Sequence, residues 1–143
     1  MKRSVLILVL MVMVLLSACN SPATSTPAVE VVGKNVTVGD GSYTDVSVAE
    51  MQTMLANKDF IFVNVHIPFE GDIAGTDLSI PYDQIAENVD KFPDKDAKIV
   101  LYCRSGRMSA IAAETLLGLG YTNLWNLDGG MVEWEQAGLK VER

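Results

Sequence analysis

From Tyr43 onward the chain alternates between two hydrophobic rhythms. Phe60-Ile61-Phe62-Val63 and Lys98-Ile99-Val100-Leu101-Tyr102 are short, nearly unbroken apolar runs rich in β-branched and aromatic residues, a pattern that predicts strands buried on both faces. Asn123-Leu124-Trp125-Asn126-Leu127 predicts a third. Between them the spacing is helical. Ser47-Val48-Ala49-Glu50 is a capping box, with Val48, Met51 and Leu55 recurring behind it. A short helix is predicted over 83–89. A longer one over 107–117 carries Met108, Ile111, Ala112, Thr115 and Leu116 at i, i+3, i+4, i+7 and i+8, with enough other apolar positions to be covered on most sides. Asp128-Gly129-Gly130 reads as a tight turn into a last helix around 131–136. Residues 66–81, with Pro68, Gly71, Gly75 and Pro81, read as a long loop. Strands alternating with helices imply an α/β fold, a mainly parallel central sheet with helices on both faces.

The N-terminus has a different pattern. Met1-Lys2-Arg3 is followed by twelve unbroken apolar residues at 5–16, which is too short to span a bilayer and of the length of a signal-peptide core. Leu16-Ser17-Ala18-Cys19 then resembles the bacterial lipobox. That resemblance implies a lipoprotein signal peptide at 1–18, cleavage before Cys19 and acylation of its sulfur. Lipid would then anchor the protein in a bilayer of the bacterial cell envelope, with the domain outside the cytoplasm. Residues 19–41, polar and punctuated by proline and glycine, are expected to form a flexible tether, leaving 42–143 as one folded domain. A core of roughly 100 residues buries enough surface to need no disulfide or metal staple.

The net charge is −7, and the only charges in the first eighteen residues are Lys2 and Arg3, so the remainder is more acidic still. This argues against nucleic acid as a partner. There is one histidine and there are two cysteines. With Cys19 acylated, Cys103 is the one remaining thiol, and no metal site or cofactor motif is expected.

Cys103 stands where a buried strand ends and a helix is about to begin, the place where open parallel sheets bind ligands. Arg104-Ser105-Gly106 forms a short loop into that helix. Backbone N–H groups at a helix start lack intrahelical partners, and if the loop curls they converge on the sulfur and stabilise its anion. Arg104 and Arg107 lie where the helix dipole disfavours cations, so an anion is expected to meet them.

These residues resemble a known family. Cys103-Arg104-Ser105-Gly106-Arg107-Met108-Ser109 is similar to the active-site loop of rhodaneses, the sulfurtransferase superfamily. Leu124-Trp125-Asn126-Leu127-Asp128-Gly129-Gly130-Met131, with Trp134 and Gly138, resembles the family's closing segment. Phe62-Val63-Asn64-Val65-His66 resembles the strand and turn where most members read Asp-Val-Arg, and Gly71-Asp72-Ile73-Ala74-Gly75-Thr76 the stretch that usually reads Gly-His-Ile-Pro-Gly-Ala. The resemblance covers about 43–141. It implies a single rhodanese-like domain in which Cys103 takes sulfur from a donor such as thiosulfate and passes it as a persulfide to a thiol or cyanide, a protein acceptor included. The loop residues Arg104, Ser105, Gly106, Arg107, Met108 and Ser109 would bind the anion. His66 is a candidate substrate contact, although a structural hydrogen bond within the long loop is the expectation for it.

Asn64, His66, Asp72 and Met108 depart from the usual residues and put thiosulfate preference in doubt. Two other functions compete. Phosphatases and arsenate reductases of related fold carry arginine six positions after the cysteine, where this chain has Ser109, so the loop is one residue too short for them. A non-catalytic binding module, or a redox or sulfide sensor, would keep the fold without the turnover.

Overall fold

The computed structural model describes residues 30–143. The signal peptide, Cys19 and the first part of the expected tether lie outside the described residues. Six strands form the main sheet: β1 (Lys34–Val38), β2 (Gly41–Val46), β3 (Ile61–Asn64), β5 (Leu78–Ser79), β6 (Ile99–Tyr102) and β7 (Leu124–Leu127), in the order β1-β2-β7-β6-β3-β5. Only β1 and β2 pair antiparallel; every other neighbour is parallel. A small antiparallel pair joins β4 (Asp72–Ile73) to β8 (Val141–Glu142). The helices are α1 (Val48–Ala56), α2 (Arg107–Gly118) and α3 (Gly130–Gln136), with a 3₁₀ segment at Tyr82–Lys91 in place of the expected short α-helix. Among the described residues no helix is long and apolar enough to cross a membrane.

The sheet is covered on both faces, as the continuous apolar strands require. Side chains alternate along β6: Ile99, Leu101 and Cys103 enter one core cluster, Val100 and Tyr102 the other. Ala112, Ala113 and Leu116 of α2 and Ile85 of the 3₁₀ segment pack into the first; Met51 and Met54 of α1 and Met131 and Trp134 of α3 pack into the second. This parity puts the Cys103 side chain on the α2 side of the sheet.

Two expectations are corrected. The tether does not extend to residue 41, because Lys34–Val38 is a strand whose partner is β2, in the register Lys34↔Asp45 to Val38↔Gly41. Gly39-Asp40, read as an interruption, is the two-residue turn of that hairpin, with Gly39 at φ +57°. Nor is α2 covered on most sides. Its buried positions are Ser109, Ala112, Ala113 and Leu116, whereas Ile111 is 38% exposed, on the flank that borders the cavity beside Cys103.

The capping box is present as expected. Ser47 Oγ accepts from the Glu50 N–H at 3.4 Å, and Glu50 Oε2 accepts from the Ser47 N–H at 2.9 Å. Glu50 also accepts from the Gly33 and Val32 amides at 2.8 and 3.1 Å, fastening the segment before β1 to α1. These hydrogen bonds, that from the Ser47 amide above all, hold its carboxyl down at about 2.

Candidate active site

Parallel pairing brings the site together. β3 and β6 are neighbours in the register Asn64↔Tyr102, and the Val65 N–H donates to the Tyr102 carbonyl at 2.8 Å. The residues that follow, His66 on one chain segment and Cys103 on the other, therefore emerge side by side at the C-terminal edge of the sheet. Both line one cavity of about 260 Å³, with Tyr82, Arg104, Ser105, Arg107, Met108 and Ile111.

Cys103 is 1% exposed. It is packed into the core on the strand side, and the residue also forms part of the cavity wall. The Gly106 N–H donates to Sγ at 3.2 Å. The Ser109 hydroxyl lies 3.5 Å from Sγ and 3.0 Å from the Gly106 carbonyl, and its single proton serves one of them at a time. Both groups favour negative charge on sulfur. Of the amides expected to curl round the sulfur from Arg104 to Ser109, the one within hydrogen-bonding distance is that of Gly106. Gly106 reaches this position because it sits at φ +89°, left-handed backbone that a side chain disfavours.

A second glycine holds the loop from behind. The Met131 and Val132 amides at the start of α3 donate to the carbonyls of Cys103 and Arg104 at 3.0 and 2.9 Å. Gly130, at φ +55°, lies so close that a Cβ there would be 2.3 Å from the Cys103 carbonyl oxygen. The turn read from Asp128-Gly129-Gly130 is thus also the support of the cysteine loop.

The two arginines differ. Arg104 pairs with the Glu70 carboxylate, so the anion expected to meet it is in part internal. Arg107 is exposed, lines the cavity, and has no carboxylate within ion-pair reach among the described residues. The hydrogen bond from Arg104, with the charges of Arg104 and His66, holds the Glu70 carboxyl below its ordinary range.

His66 does not make the structural hydrogen bond expected of it. Its backbone N–H donates to Asn64 Oδ1 at 3.0 Å, but both ring nitrogens are buried without a hydrogen bond among the described residues. Nε2 is 3.7 Å from Glu70 Oε2, an ion-pair separation rather than a hydrogen bond. Sequence reasoning passed over Glu70 and Tyr82, and took Gly130 for a turn residue without its role behind the cysteine loop. The signal for Glu70 was its place four residues after the only histidine.

Among the described residues no group of histidine, cysteine and carboxylate side chains is arranged to hold a metal. A larger hollow of about 540 Å³, between the β1–β2 turn and the end of α2, is lined by neither cysteine nor histidine.

A parallel α/β sheet with a cysteine at the tip of a central strand, held by the amide of a short loop entering a helix, defines a class of thiol-based sites. Within that class the chain belongs to the rhodanese family: the model of the rhodanese-like domain matches residues 55–137. A sulfurtransferase of Allochromatium vinosum is 33% identical over 93 residues, 63% of this chain and 85% of that protein. A tRNA uridine(34) hydroxylase of Erwinia tasmaniensis is 33% identical over 101 residues, 66% of this chain; the match spans only 28% of the hydroxylase. Among solved structures, a rhodanese-related protein from Thermoplasma volcanium superposes with a TM-score of 0.58 at 30% identity, covering 69% of this chain and 97% of that one.

Proposed function

We propose that the domain is a sulfurtransferase in which Cys103 carries sulfane sulfur as a persulfide. The observation that carries this reading is Cys103 itself, a residue of the cavity wall whose sulfur accepts from the Gly106 amide. With thiosulfate as donor, the Cys103 thiolate attacks the outer sulfur. The sulfur–sulfur bond of the donor breaks, and sulfite leaves with the electron pair. The product is Cys103–S–S⁻; the Gly106 amide and Ser109 hydroxyl lie on its inner sulfur, the atom that carries the charge before attack and again after transfer. Arg107 and Arg104, with Ser105 and Met108, line the route by which an anionic donor enters. The sulfurtransferase named among the relatives supports the reading.

The test is intact mass after incubation with thiosulfate and desalting. The expected result is a gain of one sulfur atom in the parent and none in Cys103→Ser. No gain with thiosulfate or any other sulfane donor would instead favour the binding or sensing module.

The second part of the reading rests on sequence. The apolar run at 5–16 followed by Leu16-Ser17-Ala18-Cys19 supports a lipoprotein acylated on Cys19 and anchored in the bacterial cell envelope. The catalytic domain would then work outside the cytoplasm, on donors and acceptors found there.

A further inference from the structure

Among the described residues three buried side-chain polar atoms lack a hydrogen bond, Asn126 Oδ1 and both ring nitrogens of His66, and Asn126 still donates to Asp45 through its amide nitrogen. His66 is only 9% exposed, and neither ring nitrogen has a hydrogen bond among the described residues. An unpaired buried polar group is costly, so its presence calls for a reason. The reason suggested by its position is the cavity it shares with Cys103.

We propose that His66 is the proton acceptor of the second half-reaction, and that the acceptor class is therefore a protonated thiol rather than an anion such as sulfite. This rests on the persulfide reading above. The cycle starts and ends with Cys103 as thiolate, so its sulfur needs no base once the cycle is running. An incoming thiol does: its proton must leave as its sulfur attacks. Of the side chains lining the cavity, Arg104 and Arg107 offer only N–H donors, Tyr82 and Ser105 offer hydroxyls, and Met108 and Ile111 have no basic group. His66 is the one side chain there, apart from the sulfur itself, whose neutral form offers a basic lone pair to a proton. Glu70, with Oε2 3.7 Å from Nε2 and held in place by Arg104, faces the ring with the negative charge that stabilises an imidazolium.

The step balances without an oxidant. The acceptor R–SH gives its proton to the His66 ring as its sulfur bonds to the outer sulfur of Cys103–S–S⁻. The Cys103–S bond breaks, its electron pair returns to Sγ as thiolate, and R–S–S⁻ leaves. The imidazolium then returns the proton to that product or to water. A free thiol is only a few per cent ionised at pH 7, so completing the ionisation at the site is worth up to about 30-fold.

The experiment loads the full-length parent, His66→Gln and Glu70→Gln with thiosulfate, removes the donor, and follows loss of the extra sulfur to 2-mercaptoethanol and, separately, to sulfite. At pH 6.5 the thiol-to-sulfite rate ratio is expected to fall about tenfold or more in His66→Gln, and less, in the same direction, in Glu70→Gln. The gap between parent and His66→Gln should close as pH rises toward the thiol's own ionisation. An unchanged ratio, equal slowing with both acceptors, or selective loss of transfer to sulfite would overturn the assignment while leaving the persulfide intact. A parent that takes up no sulfur would remove the sulfur-transfer reading, and this one with it.

Discussion

Positions 64 and 72 depart from the family pattern together, and the structure shows why the pair survives. Where most members place Asp and His, this chain has Asn64 and Asp72, and the Asn64 amide donates to Asp72 Oδ1 and to the Gly71 carbonyl, both at 2.9 Å. An aspartate at 64 would set two carboxylates against each other, and the asparagine supplies a donor instead. In the sequence these changes only put thiosulfate preference in doubt. At the same scale, Gly130 is where one methyl group is expected to matter most. Gly130→Ala demands left-handed backbone from a residue with a Cβ and drives that Cβ into the Cys103 carbonyl. The expected outcome is a loss of about 2–3 kcal/mol in urea unfolding, with slower sulfur loading because the cysteine loop must shift.

The elements were legible where one rule governed them. Three buried strands and α1, α2 and α3 lie within a few residues of where apolar runs, the capping box and glycine stops placed them. The misses share a cause. Gly39 reads as a breaker on its own, and becomes a hairpin turn only once β1 has β2 to pair with. Ile111 fits the helical stripe, yet whether a stripe position is covered depends on what packs there. Glu50 shows how an element gains from its neighbours: a predicted capping residue also binds two amides ahead of β1. Its carboxyl is lowered from 4.5 to about 2 in the fold. A lowered carboxyl stabilises the fold above its unfolded value, and that contribution disappears as pH falls through the folded one. Glu50→Gln is therefore expected to cost about 1–2 kcal/mol at pH 7, a figure reduced for solvent screening. Thermal or urea unfolding should show the difference from the parent shrinking as pH drops from about 4.5 toward 2.

For the whole molecule, the proposed anchor and the described domain can be tested apart. Among the described residues, both core clusters are drawn from positions 31–141. Cys19→Ser is thus expected to move the protein from the membrane to the soluble fraction on ultracentrifugation, and to leave thiosulfate loading of Cys103 as it was. A variant that stays with the membrane would refute the lipid anchor. The overall charge of −7 and the two arginines at the cavity also separate by scale. The first is a property of the whole sequence, and the second acts locally at the cavity, because exposed charge is screened beyond about 10 Å.

The amino-acid order alone determined the strand that ends at Cys103 and the glycine that turns the chain into α2, since period and backbone conformation are local properties. Only the tertiary structure decided that His66 and Glu70 would stand beside that sulfur and that Gly130 would brace its loop. Those relations depend on the parallel pairing of β3 with β6 and on the docking of α3, contacts between residues far apart in the chain, which no local pattern encodes.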